Sequence, residues 1–221
     1  MKRLLILLGV FVFLPVFLLP ADELIFEEPF KEINADSYVI WGTADPFNRV
    51  EPYEGKLELE GSNGFEAFGI YFTPEFDLAN GPLRISFDLE RNSVVPGSEI
   101  CLWFINQYLP LGSPWMEGDF VRIGFFSTHA DEIENAVVIQ ETSPEQRGMG
   151  TLLDDVGGAF EMGKPFHVDF TVSESAYSVM INGEEVSSGS HELPETAGYI
   201  HIHDWNSMDA VDYVYNFKVY Q

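Results

Sequence analysis

Near its C-terminus the chain reads YIHIHDWNSMDAVDYVYNFKVYQ, residues 199–221. His201 and His203 are two residues apart, the spacing that puts both side chains on one face of a strand. Two imidazoles so placed can share a zinc or copper ion when another strand supplies a third donor. Asp209, His167 and Asp169 are candidates for that donor. The same rings also suit contact with a ligand without a metal, or simply a polar sheet face. Tyr199 and Trp205 fall on the side of the histidines, whereas Ile200 and Ile202 fall on the other.

A second set is aromatic. Trp103, Trp115, Trp205, Tyr108 and Tyr199 offer flat rings that can pack on the C–H face of a pyranose, and Asn106, Gln107 and Asn206 stand beside them in sequence to bind its hydroxyls. Trp115, in a Pro/Gly-rich loop, and Trp205, at a strand end, are the better placed for exposure. Trp103, inside CLWFI, and Trp41, after an apolar run, read as core. Cys101, the one cysteine, reads as a buried small hydrophobe. No intramolecular disulfide is then possible, and the core alone must hold the fold.

The elements that must position these residues are strands. Period-two alternation recurs in KLELEG, in PLRISFDLER and in PFHVDFTVS, where Phe166, Val168, Phe170 and Val172 oppose His167, Asp169 and Thr171. AYSVMINGEEV has the form of a hairpin, with Asn182-Gly183 as the dipeptide that tolerates positive φ in a tight turn. Further strands are expected at ELIFEEPF, SYVIWGT, FEAFGIYFT, EICLWFINQ, DFVRIGFFST, NAVVIQE, GYIHIHD and AVDYVYNFKVYQ. About a dozen strands, with no amphipathic helix, predict an all-β sandwich of two packed antiparallel sheets. Residues 106–118 and 142–164 read as irregular loops, where function often sits.

Residues 1–21, MKRLLILLGVFVFLPVFLLPA, have a basic start, an apolar run and a small residue at the end, the layout of a secretory signal. Cleavage after Ala21 leaves residues 22–221 as one domain; a retained anchor is the other outcome. The chain of 221 residues carries 11 basic and 36 acidic residues, a formal net charge of −25. The leader holds Lys2 and Arg3 and no acid, so the remainder is more acidic still. Such a surface repels phosphate backbones and anionic headgroups, which excludes nucleic-acid binding and peripheral membrane association. Neutral or cationic ligands remain.

Several stretches resemble a known group. ELIFEEPFKEINADSYVIWG is similar to the opening strand of concanavalin A-like jelly-roll sugar proteins, and VDYVYNFKVYQ to their closing strand. FHVDFTVSESAYSVMINGEEV looks like the hairpin of laminin-G-like jelly rolls, and EPYEGKLELEG like an early strand. The resemblance implies a two-sheet antiparallel jelly-roll β-sandwich. Laminarinase-type glucanases of that group carry E-x-D-x-E on one strand, which aims two glutamates into the cleft as nucleophile and acid. That motif does not occur here; DEIEN, with Asp131, Glu132 and Glu134, is the nearest cluster and has the wrong order. The resemblance also implies a structural Ca²⁺ between the first and last strands, held by Asp212 with Glu27 or Glu28.

The expectation is therefore a secreted or cell-surface sandwich that binds a polysaccharide or glycan without catalysis, through Trp115, Trp205, His201, His203, Tyr108 and Asn206. A glycoside hydrolase or polysaccharide lyase of the same fold is the alternative, and a cell-envelope assembly subunit is a third. The domain itself is not expected to insert into a membrane.

Overall fold

The computed structural model describes residues 22–42, 48–61, 67–106, 118–130, 133–142, 150–205 and 210–221. In chain order its strands are β1 (Leu24–Glu28), β2 (Tyr38–Trp41), β3 (Arg49–Tyr53), β4 (Lys56–Glu60), β5 (Phe68–Phe72), β6 (Phe76–Asp77), β7 (Leu83–Glu90), β8 (Glu99–Ile105), β9 (Phe120–His129), β10 (Ile133–Thr142), β11 (Thr151–Val156), β12 (Pro165–Val172), β13 (Ala176–Ile181), β14 (Glu184–Ser190), β15 (Ala197–Trp205) and β16 (Val211–Tyr220). A 3₁₀ turn follows β6. Among the described residues no helix is long and apolar enough to cross a membrane.

The strands form two antiparallel sheets. Sheet A has the order β14-β13-β12-β7-β16-β4-β3, with β1 also paired to β16. Sheet B has the order β11-β10-β9-β8-β15-β5-β2, with β6 also paired to β15. The core lies between them. From sheet B, Ile200 and Ile202 enter it beside Leu102, Ile70 and Ile123; from sheet A, Leu57, Phe87, Val168 and Val214 meet them. Phe72 of β5 stacks on Phe217 of β16 at 4.3 Å, joining the two sheets across the middle. Burying an aliphatic or aromatic side chain of this kind contributes roughly 1.5–3 kcal/mol.

The alternation read from the sequence sets these faces, and the hairpin turn is as expected: Asn182 and Gly183 both have positive φ, 52° and 82°. Two strands lie where the sequence shows no alternation. β3 carries Pro52 and, among the described residues, pairs only with β4, at a sheet edge, where a missing N–H costs no ladder bond. β11 lies inside the supposed loop 142–164 and, among the described residues, pairs only with β10, at the edge of sheet B.

Sheet B is buried on both faces at its centre. Every residue of β8 is buried. On the side away from the main core, Cys101, Trp103, Ile105 and Phe120 form one apolar cluster, and Phe126, Ala136 and Val138 form another. This explains why EICLWFI is a near-continuous apolar run rather than an alternating one.

Candidate functional site

The outward face of sheet B is a grid fixed by strand register. His201 is paired with Trp103 on β8 and Tyr71 on β5, and Trp103 in turn with Arg122 on β9. In the next row Gly69, His203, Cys101 and Gly124 lie side by side. In the row after that, Trp205 is paired with Glu99 and Glu99 with Phe126. The two histidines thus share a face, as the spacing requires.

That face is not open. His201 is 1 % exposed and His203 0 %, so neither imidazole stands on the surface as a sugar contact, the place the sequence suggested for them. The physical reason is the apolar packing around them. Tyr71 stacks on His201 at 5.3 Å, and Trp103 and Trp41 lie 5.1 and 6.2 Å from the His203 ring. Trp205, at the end of β15, and Tyr199, near its start, are partly exposed. Trp115, Tyr108, Asn206, Asp209, Gln107, Asp131 and Glu132 lie outside the described residues.

Of the third donors proposed for a histidine metal pair, His167 and Asp169 are elsewhere. Phe166, Val168 and Phe170 point into the core, so His167 and Asp169 face outward from sheet A, on the opposite side of the molecule. There His167 Nδ1 lies 2.7 Å from Asp88 and Nε2 lies 3.2 Å from the Ser86 hydroxyl. These are distances of a serine–histidine–aspartate relay, but Ser86 sits in mid-strand with its backbone paired to Asp169 on one side and Lys218 on the other. The arrangement is a polar row on a sheet face, not a nucleophile at a turn with free amides beside it.

A different cluster forms instead. Glu99 and Cys101 are two residues apart on β8, and His203 is opposite Cys101. One donor atom from each, a carboxylate oxygen, Sγ and a ring nitrogen, lie within 4.8 Å of one another, and all three side chains are fully buried. Arg122 joins them. Its Nη1 donates to both oxygens of Glu99 at 3.2 Å and to Cys101 Sγ at 2.9 Å, while Nε donates to Gln140 Oε1 at 2.7 Å. Nε2 of His203 is 3.9 Å from Glu99, near enough for charge to be felt and too far for a direct hydrogen bond.

The electrostatics follow from burial and from Arg122. Burial pushes the Glu99 carboxyl up, but the adjacent guanidinium outweighs it and holds the group down at about 2. Burial drives the Cys101 thiol well above its ordinary range. Burial also lowers His203, against the pull of Glu99, and takes His201 down to about 3 with the help of His203. Among the described residues, neither nitrogen of the His201 ring has a hydrogen-bond partner. At neutral pH the cluster holds one carboxylate, one guanidinium, a thiol and neutral imidazoles.

The calcium ligands expected from the resemblance are not brought together. Glu27 and Glu28 on β1 are paired with Lys218 and Phe217 of β16, whereas Asp212 lies five residues further along, roughly 17 Å away at the rise of a strand. Calcium needs its oxygens at about 2.3–2.6 Å. Each acid already has a partner: Asp212 is bound by Arg91 and by the amides of Asn92 and Ser93, Glu28 accepts from the Phe30 amide at 2.9 Å, and Glu27 lies 3.6 Å from Lys218. The residues do not fit a Ca²⁺ site.

Sequence reasoning missed the Glu99–Arg122 pair. The available signal was a charged residue at an alternate position in each of two apolar strands, SEICLWF and FVRIGFF. Residues 99, 101 and 103 also have the spacing of E-x-D-x-E, with Cys101 and Trp103 in the second and third places.

The sequence matches no family model and no curated protein. Solved structures do match. A protein of unknown function with a galectin-like fold from Bacillus subtilis aligns with a TM-score of 0.67 at 12 % identity, covering 91 % of this chain and 98 % of that one. A β-glucanase from Bacillus licheniformis gives 0.62 at 15 %, covering 89 % and 97 %. A carbohydrate-binding module from Bacillus subtilis gives 0.57 at 8 %, covering 84 % and 96 %. With near-complete coverage at such low identity, the likeness is one of fold, and by that fold the chain is a two-sheet antiparallel jelly-roll β-sandwich.

Proposed function

We propose that this protein is a secreted, non-catalytic carbohydrate-binding sandwich that engages a polysaccharide or glycan at the rim of sheet B. The observation that carries this reading is the placing of Tyr199 and Trp205. Both are partly exposed on the outward row of β15, six residues and roughly 20 Å apart, with the rings between them sealed. Two amphipathic rings at that separation suit an extended chain of sugars better than a single residue. His201 and His203 lie between them in the same row, packed against Tyr71, Trp103 and Trp41. Trp115, Tyr108 and Asn206, outside the described residues, are proposed as further contacts on their residue types. The fold is shared with a carbohydrate-binding module and a glucanase, which supports a sugar as the ligand class. The −25 charge favours a neutral or cationic one.

A glycan array tests the reading. Hits are expected for the wild type, with Trp205→Ala, Tyr199→Ala and Trp115→Ala each weakening them; an array without hits removes the proposal. Glu99, first in the E-x-D-x-E spacing, favours hydrolysis as a second reading, although Arg122 holds both its oxygens. Release of reducing sugar that Glu99→Gln abolishes would establish it.

A further inference from the structure

Acidic side chains gather at the Tyr199 end of the rim. There β15 runs between β6 and β8, with Gly198 opposite Phe76 and Tyr199 opposite Ile105. Glu75 is exposed, precedes Phe76 and so comes beside Tyr199, whose hydroxyl donates to its Oε1 at 3.4 Å. Asp77 lies opposite Ala197 and accepts from the Ala79 amide at 3.0 Å. On the β8 side Asn106 follows Ile105 and holds Asp119: the Asp119 amide donates to Asn106 Oδ1 at 3.0 Å, and Asn106 Nδ2 donates to Asp119 Oδ2 at 3.4 Å. Asp119 is 3 % exposed, and its Oδ1 has no hydrogen-bond partner among the described residues. Burial raises its carboxyl, and the nearby charge of Glu195 raises it further. The buried acids Glu99 and Asp212 each face an arginine. Asp119 faces a neutral amide and, beyond it, another acid.

We infer that the sugar held at Tyr199 carries a free amino group, so that the ligand class is a polysaccharide with deacetylated amino sugars. This rests on sugar binding at the rim and adds the chemistry of one subsite. A tyrosine ring takes the C–H face of a pyranose, and it also attracts an ammonium within about 6 Å of its centre. An amino sugar offers both from one residue. Glu75, at the hydroxyl edge of the ring, accepts from the ammonium in a charge-assisted hydrogen bond. Asp119 and Glu195 act through their field rather than by contact. Asp119 is two strands from β15, roughly 10 Å at the spacing of a sheet, comparable with the Debye length of about 8 Å at physiological salt. An N-acetylated sugar has the same ring and leaves the repulsion among these acids in place. An anionic sugar would add to it. The Trp205 end differs, because Glu99, paired with Trp205, is already matched by Arg122. The amino group therefore belongs at the Tyr199 end.

The test is calorimetric titration of the purified protein with β-linked oligomers of equal length: glucosamine with its amines protonated, N-acetylglucosamine, and glucose. The glucosamine oligomer is expected to bind about tenfold or more tightly than the other two, the difference one charge-assisted hydrogen bond makes. Glu75→Gln is expected to weaken glucosamine binding about tenfold and so remove the preference. Tyr199→Ala and Trp205→Ala each weaken every oligomer that binds. Glu184→Gln, on β14 at the far edge of sheet A, changes the net charge equally and is expected to keep the affinity of the wild type. Circular dichroism establishes that each variant is folded. Neutral oligomers bound as tightly as glucosamine, with loss in Tyr199→Ala and Trp205→Ala, overturn the amino-sugar assignment and leave sugar binding at the rim standing. Equal weakening by Glu184→Gln and Glu75→Gln also overturns it, since the attraction is then to the overall charge. If no oligomer binds, both the assignment and the rim site are overturned.

Discussion

Arg122 donates from one nitrogen to both carboxylate oxygens of Glu99 at 3.2 Å, and neither side chain meets water, being 3 % and 0 % exposed. The pair bridges β8 and β9 on the side of sheet B away from the main core. A buried ion pair gains little over well-packed apolar residues, because desolvation offsets the attraction. Breaking one is costly because the surviving charge stays buried.

The first prediction follows from that asymmetry. Arg122→Met and Glu99→Leu are each expected to lower unfolding free energy by about 3–5 kcal/mol. The double variant Glu99→Leu/Arg122→Met is expected to recover much of that loss. Urea denaturation of the four proteins gives the coupling directly. Additive losses would mean that the two side chains do not act as a pair.

Asp212 supports the second prediction. It is fully buried, and its oxygens are taken by Arg91 and by the amides of Asn92 and Ser93, so it ties β16 to the segment that follows β7. Asp212→Ala strands the Arg91 guanidinium and is expected to cost about 3–5 kcal/mol. Because a guanidinium already occupies the place a metal would take, excess Ca²⁺ or a chelator should leave the melting temperature of the wild type unchanged. A rise with Ca²⁺ that Asp212→Ala removes would restore the calcium site.

The histories of these two acids in the sequence explain what was legible and what was not. Alternation in PFHVDFTVS and GYIHIHD sets which side chains enter the core, because one buried face imposes a period of two. It also places His201 and His203 together. It says nothing about what covers the second face of a sheet, and sheet B is covered where a polar surface was expected. Partners across strands were equally hidden: Asp212 finds Arg91, 121 residues away, and Glu99 finds Arg122 on the next strand. Edge strands such as β3 and β11 escape notice because little apolar surface is needed to hold them.

The third prediction concerns acid. The folded His201 ring titrates near 3 because burial, helped by His203, disfavours its charged form, while the unfolded ring titrates near 6.5. Below pH 6.5 the unfolded chain therefore binds a proton that the folded one refuses, so stability falls as pH falls toward 3. Glu99, at about 2 against 4.5, adds a loss of the same sign below pH 4.5. His201→Phe should flatten the dependence between pH 6.5 and 4.5 by up to about 1.4 kcal/mol per pH unit. Urea unfolding free energies at intervals across that range measure the slope. An unchanged slope would show that the ring is not held neutral in the folded protein.

The last prediction separates two glycines in one row. Gly69 and Gly124 flank His203 and Cys101, yet their neighbours differ in how far they can give. A Cβ at Gly69 would lie 2.1 Å from the carbonyl oxygen of Ile202 and 2.8 Å from His203 Cα, both backbone atoms of the adjoining strand. A Cβ at Gly124 meets first a Phe126 ring carbon at 2.8 Å and then Cys101 Sγ and Glu99 Oε2. A ring edge can rotate, whereas β15 cannot withdraw from β5 without losing the pairing that positions His203. Overpacking a well-filled site costs about 1–3 kcal/mol. Gly124→Ala should fall within that range, and Gly69→Ala above it, with loss of the cooperative transition if β5 separates from β15. Equal losses in the two variants, read from the same denaturation curves, would mean that the strand pairing at Gly69 is looser than this geometry requires.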